Sequence, residues 1–318
     1  MPLVSSKYKV PILYLNKHVQ TIFPSIFRNK EADFFSRKRI RTVDHDFLDI
    51  DLISNGYKKC VILSHGLEGN SQKGYMTNMS NFLMKNGFDV CAWNYRGCSG
   101  EVNNQLRMYH SGSTSDLEDV IDYVKSDYDR VYLVGFSMGG NLTLKFLGEK
   151  GSDLDHKIKG AVTFSVPTDL SGSCDRLAKW YNRIYMKRFL TNLKNKLIIK
   201  QKLFPDQISL ENYDSIKSFR EFDDRYTAPI HGFKNASDYY EKCSSKQFIS
   251  FITVPTLIVN AKDDPFLSES CFPIDECKHH KNVYLETPKR GGHVGFFLSG
   301  GVYWSEKRTL DFINAINR

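Results

Sequence analysis

The sequence predicts an α/β fold: a mostly parallel sheet covered by helices on both faces and interrupted by one helical insertion. Two observations carry this. Short, wholly apolar segments of strand length alternate with segments whose apolar residues recur at helical spacing, the pattern of strands buried on both sides and joined by crossover helices. That rhythm stops at Ser165-Val166-Pro167. For about eighty residues the chain is then basic, aromatic and helical in pattern, until a strand resumes at Val254-Pro255-Thr256-Leu257-Ile258-Val259.

Taken in order, Arg39 to Val43 and Phe47 to Ile53 read as two strands joined by the polar Asp44-His45-Asp46 turn. Cys60-Val61-Ile62-Leu63 is a buried strand running into His65-Gly66. Asn78 to Lys85 reads as a helix and Phe88 to Trp93 as the next strand. Leu117, Val120, Ile121 and Val124 line one face of a helix over Asp116 to Val124. Val131 to Val134 is a short apolar strand, Asn141 to Leu147 continues a helix that starts just before it, and Ile158 to Phe164 is another strand. After the insertion a last strand falls near Val283-Tyr284-Leu285, and a closing helix runs from Glu306 to Ile316. The expected core is thus residues 1–165 and 251–318, and residues 166–250 are a helical lid inserted between two strands of one sheet.

Chemistry enters at Gly135-Phe136-Ser137-Met138-Gly139-Gly140, which follows an apolar strand and opens a helix. A G-x-S-x-G in that context is a strained strand-to-helix turn that lifts the serine into a cleft, and its glycines remove Cβ atoms that would clash. It also sets Ser137 at a helix N-terminus, where free N–H groups favour developing negative charge. Such a serine needs a base and a group that orients the base, in the order Ser, Asp or Glu, His. Asp263-Asp264-Pro265 follows the strand Thr256 to Val259, and His293 lies in Arg290-Gly291-Gly292-His293-Val294-Gly295 after the last strand. Of the two acids Asp264 is favoured, because it precedes Pro265 and an extended, apolar turn. The expected catalytic residues are Ser137, Asp264 and His293. An oxyanion hole is expected from the backbone amides of Met138 and of Leu67 in Ser64-His65-Gly66-Leu67-Glu68-Gly69.

With these residues in view, the chain resembles the YheT-like branch of α/β-hydrolases, which includes yeast medium-chain ester synthase/esterases and animal abhydrolase-domain lipases. The matching stretches run through nearly the whole chain: His18-Val19-Gln20-Thr21, His65 to Gly69, Asn94 to Glu101, Tyr109-His110-Ser111-Gly112, Gly135 to Asn141, Phe222-Asp223-Asp224 with Gly232-Phe233, Asn260 to Pro265, and Gly291-Gly292-His293. The resemblance implies the α/β-hydrolase fold and a Ser–Asp–His hydrolase of carboxylic esters, acylglycerols or medium-chain acyl esters. Two departures stand out. The chain is expected to lack the membrane-spanning N-terminal helix of several animal relatives. The H-x-x-x-x-D signature of acyl transfer is absent too: Ser115 lies five places after His110, and Asp116 comes one place late. Thioesterase and alcohol acyltransferase chemistry would use the same acyl-enzyme, and a silent binding protein on the same fold is the non-enzymatic alternative.

The remaining signals bound the partners. A net charge of +8 is concentrated in one stripe: nine basic residues and no acidic one lie between Arg176 and Lys202. Arg176, Lys179, Arg183 and Lys187 fall at helical spacing beside Leu177, Trp180, Tyr181 and Ile184, so residues 176–202 are expected to cap the acyl pocket or to touch an anionic membrane peripherally. No motif points to nucleic acid. Seven scattered cysteines without a C-x-x-C pair and a start without a secretory pattern suggest a reduced, cytoplasmic protein. Cys271, Cys277, His279 and His280 fit no zinc spacing, and the chemistry calls for no metal and no cofactor.

Overall fold

The computed structural model describes residues 2–28, 33–298 and 301–317. The ends of the expected core, Met1 and Arg318, lie outside the described residues. The chain opens with a short strand β1 (Leu3–Val4), helix α1 (Lys17–Phe27), and an antiparallel pair β2 (Ser36–Arg41) and β3 (Phe47–Ile53). The alternation follows: β4 (Lys59–Ser64), α2 (Gly74–Lys85), β5 (Asp89–Trp93), α3 (Thr114–Lys125), β6 (Arg130–Phe136), α4 (Met138–Lys150) and β7 (Ile158–Phe164). Between β7 and β8 the described residues form helices only, among them α5 (Leu170–Leu177), α6 (Arg183–Leu203), α7 (Phe219–Phe222), α8 (Ala228–His231) and α9 (Ala236–Cys243). Strand β8 (Thr256–Val259), helix α10 (Ile274–Lys278), β9 (Val283–Glu286) and α11 (Trp304–Ile316) complete the fold.

The described strands form one sheet of nine in the order β1-β9-β8-β7-β6-β4-β5-β3-β2, parallel except where β3 meets β2 and β5. The side-chain alternation of buried strands divides the core in two. Ile62 and Leu133 face α3 and α4, with Leu117, Val120 and Leu142. Val61, Leu63 and Val134 face α2 and α11, with Met79, Leu83 and Phe312. A third apolar cluster lies in the helical segment, where Leu190, Leu193 and Leu197 of α6 pack with Phe219, Phe222 and Met108.

Two elements differ from the sequence expectation. Strand β2 starts at Ser36 and ends at Arg41, earlier than the apolar pattern suggests, because it is an edge strand held by charge: Arg37 and Arg39 pair across the ladder with Asp51 and Asp49, each at 2.8 Å. Helix α1 lies outside the elements read from the sequence: its apolar stripe, Val19, Ile22 and Ile26, faces outward in place of a core, and Pro24 lies inside it. It is started by Asn16, whose side-chain oxygen accepts from the amides of His18 and Val19.

Strand order reverses around β4, whose successors β5 and β6 lie on its two sides. In such sheets the crevice at the carboxyl ends of the strands on either side of the reversal is where ligands bind. The register of β4 with β6 ends at Ser64 opposite Gly135, which brings the loop after β4 level with the turn after β6.

Below this crevice the loop after β5 is pinned by Arg96. Its buried guanidinium donates to Asp116, Asp46 and Asp44 at 2.8–3.0 Å and ties the β2–β3 hairpin to α3. Removing the cation strands buried carboxylates. Urea unfolding of Arg96→Met should show stability lowered by about 3–5 kcal/mol; a loss under about 1 kcal/mol would mean that the network is not structural.

Candidate active site

The turn after β6 is strained as the motif requires. Ser137 has φ 53° and ψ −119°, outside the regions open to ordinary residues, and its N–H donates to the Phe164 carbonyl of the neighbouring strand at 2.8 Å. The glycines are needed for clearance. A Cβ on Gly135 would lie 2.4 Å from the Gly139 oxygen, and one on Gly139 would lie 2.3 Å from the Ser64 oxygen. Helix α4 can therefore start directly against the end of β4.

Three of the side chains expected from the sequence meet here. His293 Nε2 lies 2.9 Å from Ser137 Oγ, and His293 Nδ1 lies 2.9 and 3.1 Å from the two carboxylate oxygens of Asp264. A carboxylate only accepts, so Nδ1 carries the imidazole proton and Nε2 is left as acceptor for the serine hydroxyl. The Asp264 side chain is fully buried, and its Oδ1 also accepts from the Phe266 amide at 2.9 Å. The Phe266 ring lies 4.2 Å from the imidazole and fixes its plane.

Asp263, the other acid of the pair, points elsewhere. Its Oδ1 accepts from the Gly292 amide at 3.0 Å and its Oδ2 from Gln20 Nε2 at 3.3 Å, so it braces the histidine loop from outside. Helix α1 supplies more of this bracing: the His293 amide donates to Thr21 Oγ1 at 2.9 Å, and Arg28 donates to the Gly295 carbonyl at 3.2 Å. Sequence reasoning did not assign Thr21, Gln20 or Arg28. The only sign of the first two was the family-like stretch His18-Val19-Gln20-Thr21.

The loop after β4 lies against the serine: a Cβ on Gly66 would be 3.2 Å from Ser137 Cβ. Its shape is set by groups far apart in sequence. The Gly66 amide donates to Tyr75 Oη at 2.9 Å, and the Gly69 amide closes a turn onto the Gly66 carbonyl. Glu68, at φ 54°, donates its amide to Tyr109 Oη and accepts at Oε1 from that hydroxyl and from Lys196 Nζ of α6. His65 is fully buried and bonded through Nδ1 to the Gly66 carbonyl and through Nε2 to the Tyr95 amide. Burial holds its pKa down at about 3, so it stays neutral and acts as scaffold. Leu67 and Met138, the expected amide donors, sit on the two backbones that meet at Ser137.

A cavity of about 340 Å³ opens beside Ser137 and His293, lined by Met108, Leu177, Phe189, Leu193, Phe219 and Phe266 among others. That volume is within the range of small-ligand pockets. One part of its wall is polar: buried Asp223 accepts from Tyr240 Oη at 2.6 Å and from Thr227 Oγ1 at 2.5 Å. Of the residues set aside in the sequence, Cys271 Sγ rests on the Asp169 carbonyl and His280 Nδ1 accepts the amides of Asn282 and Val283 ahead of β9.

The basic stripe is split by the fold. Lys200 is buried and donates to the carbonyls of Asn103 and Gln105, Lys196 is bound to Glu68, and Lys194 pairs with Asp214. Lys179, Arg183, Lys187, Arg188 and Lys202 remain exposed.

A strained serine at the switch point of a mostly parallel sheet, met by a histidine and an acid from later loops, is the arrangement of an α/β hydrolase. Comparison with known proteins agrees. The family described as alpha/beta hydrolase fold matches residues 59–299. YheT of Escherichia coli strain K12, which carries the name of an esterase, is 34% identical over 94% of this chain and 91% of its own. The phospholipase ABHD3 of Bos taurus is 30% identical over 93% of this chain and 74% of its own. Among solved structures, an esterase of Pyrococcus furiosus superposes with a TM-score of 0.64 at 19% identity, covering 91% of this chain and 93% of that one. The chain belongs to the α/β hydrolase fold family, and within it to the YheT-like group of esterases and lipases.

Burial raises the Asp223 carboxyl from 3.8 to about 6. Protonation is then easier in the folded chain than in the unfolded one, which favours folding at low pH and is lost as pH climbs from 3.8 through about 6. Asp223→Asn, neutral throughout, should match the wild type in chemical unfolding near pH 4 and exceed it by about 2–3 kcal/mol near pH 7. Parallel stability curves for the two proteins would show that the carboxyl is not so perturbed.

Proposed function

We propose that this protein hydrolyses carboxylic esters, of acylglycerol or medium-chain acyl type, through an acyl-enzyme on Ser137. The observation that carries the reading is the unbroken line from Ser137 Oγ through the His293 imidazole to the Asp264 carboxylate, with every step at 2.9–3.1 Å. As Oγ attacks the ester carbonyl, its proton passes to His293 Nε2. The imidazolium that forms is stabilised by Asp264, which keeps the proton on Nδ1 before and after the transfer. The Leu67 and Met138 amides hold the oxyanion, and each such donor contributes about 2.7–4 kcal/mol to the transition state. The alcohol leaves with the proton from Nε2, and water repeats the sequence on the acyl-enzyme.

The acyl chain fits the apolar cavity, walled on one side by α6 and its neighbours, and residues 166–250 serve as the lid over a core of residues 1–165 and 251–318. The YheT and ABHD3 names favour ester and phospholipid substrates, and the monoacylglycerol lipase ABHD2 of Homo sapiens, 27% identical over 99% of this chain, favours acylglycerols. Seven unpaired cysteines, six of them buried, suit a reducing, cytoplasmic setting.

A fluorophosphonate probe should label the peptide containing Ser137, and Ser137→Ala should abolish both labelling and hydrolysis of nitrophenyl esters. An adduct on another peptide, or full activity in that variant, refutes the reading. A panel of nitrophenyl esters and monoacylglycerols of rising chain length should then show an optimum set by the cavity.

The two adjacent acids separate by role. Asp264→Asn should lower kcat by about ten-thousand-fold through the wrong imidazole tautomer. Asp263→Asn, which only loosens the histidine loop, should cost less than about a hundredfold. Steady-state kinetics showing the reverse order would move the orienting acid to Asp263.

A further inference from the structure

Helix α1 is amphipathic the wrong way round for a soluble surface. Its inner side, Gln20 and Thr21, with Arg28 just past its end, carries the polar contacts to the histidine and acid loops, while Val19, Ile22 and Ile26 form an outward stripe 40%, 39% and 57% exposed. Phe27, its ring 4.5 Å from that of Phe23 and tilted against it, is 66% exposed beside them. Contiguous apolar surface of this kind marks an interaction site.

A second exposed apolar group adjoins it. His18 stacks on Tyr185 with Nδ1 3.1 Å from the hydroxyl, and Lys17 Nζ lies 5.5 Å over the Tyr181 ring, so α1 runs beside the start of α6. There Trp180 is 79% and Ile184 80% exposed. Lys179, Arg183, Lys187 and Arg188 surround them, forming no ion pair with a described residue. Neither α1 nor the stretch 176–205 contains an acidic residue. The cavity opens between these two elements: Ile22 of α1 and Arg188 of α6 both line it and are both exposed.

We infer that this face, α1 together with residues 179–188, docks on an anionic lipid bilayer with the mouth of the cavity against the lipid. Apolar side chains that insert at the headgroup boundary, ringed by cations and free of acids, match that surface in both hydrophobicity and charge. The face differs from the basic stripe read in the sequence. Lys196 and Lys200 are excluded from it because they are held inside the fold, Lys194 because it is paired with Asp214, and α1 is added. Lipid esters then reach Ser137 from the membrane without crossing water; this last step rests on the ester-hydrolase reading, whereas the docking does not.

The test is co-sedimentation of the full chain with vesicles of phosphatidylserine and phosphatidylcholine, or of phosphatidylcholine alone. Binding is expected to the first and not the second, weakening as salt is raised. Trp180 emission should shift to the blue on binding, since Trp93 is already buried and Trp304 is packed against the core. Charge reversal at Lys179, Arg183 and Lys187 together should weaken binding by at least about tenfold, with hydrolysis of soluble short esters unchanged. Reversal at Lys58 and Lys59, exposed at the opposite end of the sheet, should leave binding intact. Negligible binding to both vesicles, or equal loss from the two sets of reversals, overturns the inference. So does a doubling of mass by light scattering, without lipid, that Ile184→Asp abolishes, since the face would then cover a second copy. Docking that persists in a wild type without esterase activity would sink the ester-hydrolase reading and leave the membrane face standing.

Discussion

The loop after β4 and the turn after β6 meet with so little clearance that a methyl group on Gly139 would lie 2.3 Å from the Ser64 carbonyl oxygen. The approach exists because the strand order reverses at this point, leaving two neighbouring strands whose connections depart to opposite sides. It places Ser137, the start of α4 and the Gly66–Gly69 loop within one small volume. The positive φ of Ser137 is the backbone cost of that meeting, and it is held by the hydrogen bond to Phe164 and by a packed core on each face of the sheet.

Around this point, polar side chains far away in sequence hold each loop. Tyr75 and Tyr109 shape the loop beside the serine, Asp263 and Thr21 shape the loop that carries the imidazole, and Phe266 sets the plane of its ring. Preorganisation of this sort matters because donors and acceptors aimed before the reaction need no reorganisation during it. Lys196 extends the scaffold into the helical segment: it is held by Glu68 on one side and Cys98 on the other, so α6 is tied to the loop beside the serine through an ion pair that is almost wholly buried.

Much of this was legible in the sequence. The strands β4, β6 and β7 are all-apolar runs between turn signals, and the helices α3 and α4 follow from spacing and from the glycine turn ahead of them. Ser137 and His293 stand out because glycines flank each, and Asp264 was separable from Asp263 by the proline that follows it. The parts that were hidden share one physical character. Strand β2 is held by cross-strand ion pairs in place of buried apolar side chains, and α1 has a hydrophobic period but turns its apolar side outward and holds Pro24, so neither shows the buried apolar pattern of a core element. The basic run in α6 was visible as composition, but which of its lysines face outward depends on acceptors at Glu68, Asn103 and Gln105 that lie about a hundred residues away.

The reach of α1 has a consequence for how the molecule comes into being. The bond from the His293 amide to Thr21 spans 272 positions, and the bond from Arg28 to Gly295 spans 267. A chain made from its N-terminus can form β4 to β7 and present Ser137 well before the histidine loop exists, since contacts this remote in sequence close late. Ser137 has no imidazole beside it until the histidine loop is made, and that loop is fully braced only when residues from the two ends of the chain have met. A fragment confined to the family-matched residues 59–299 would carry Ser137, Asp264 and His293 and lack the Thr21 and Arg28 contacts that brace the histidine loop.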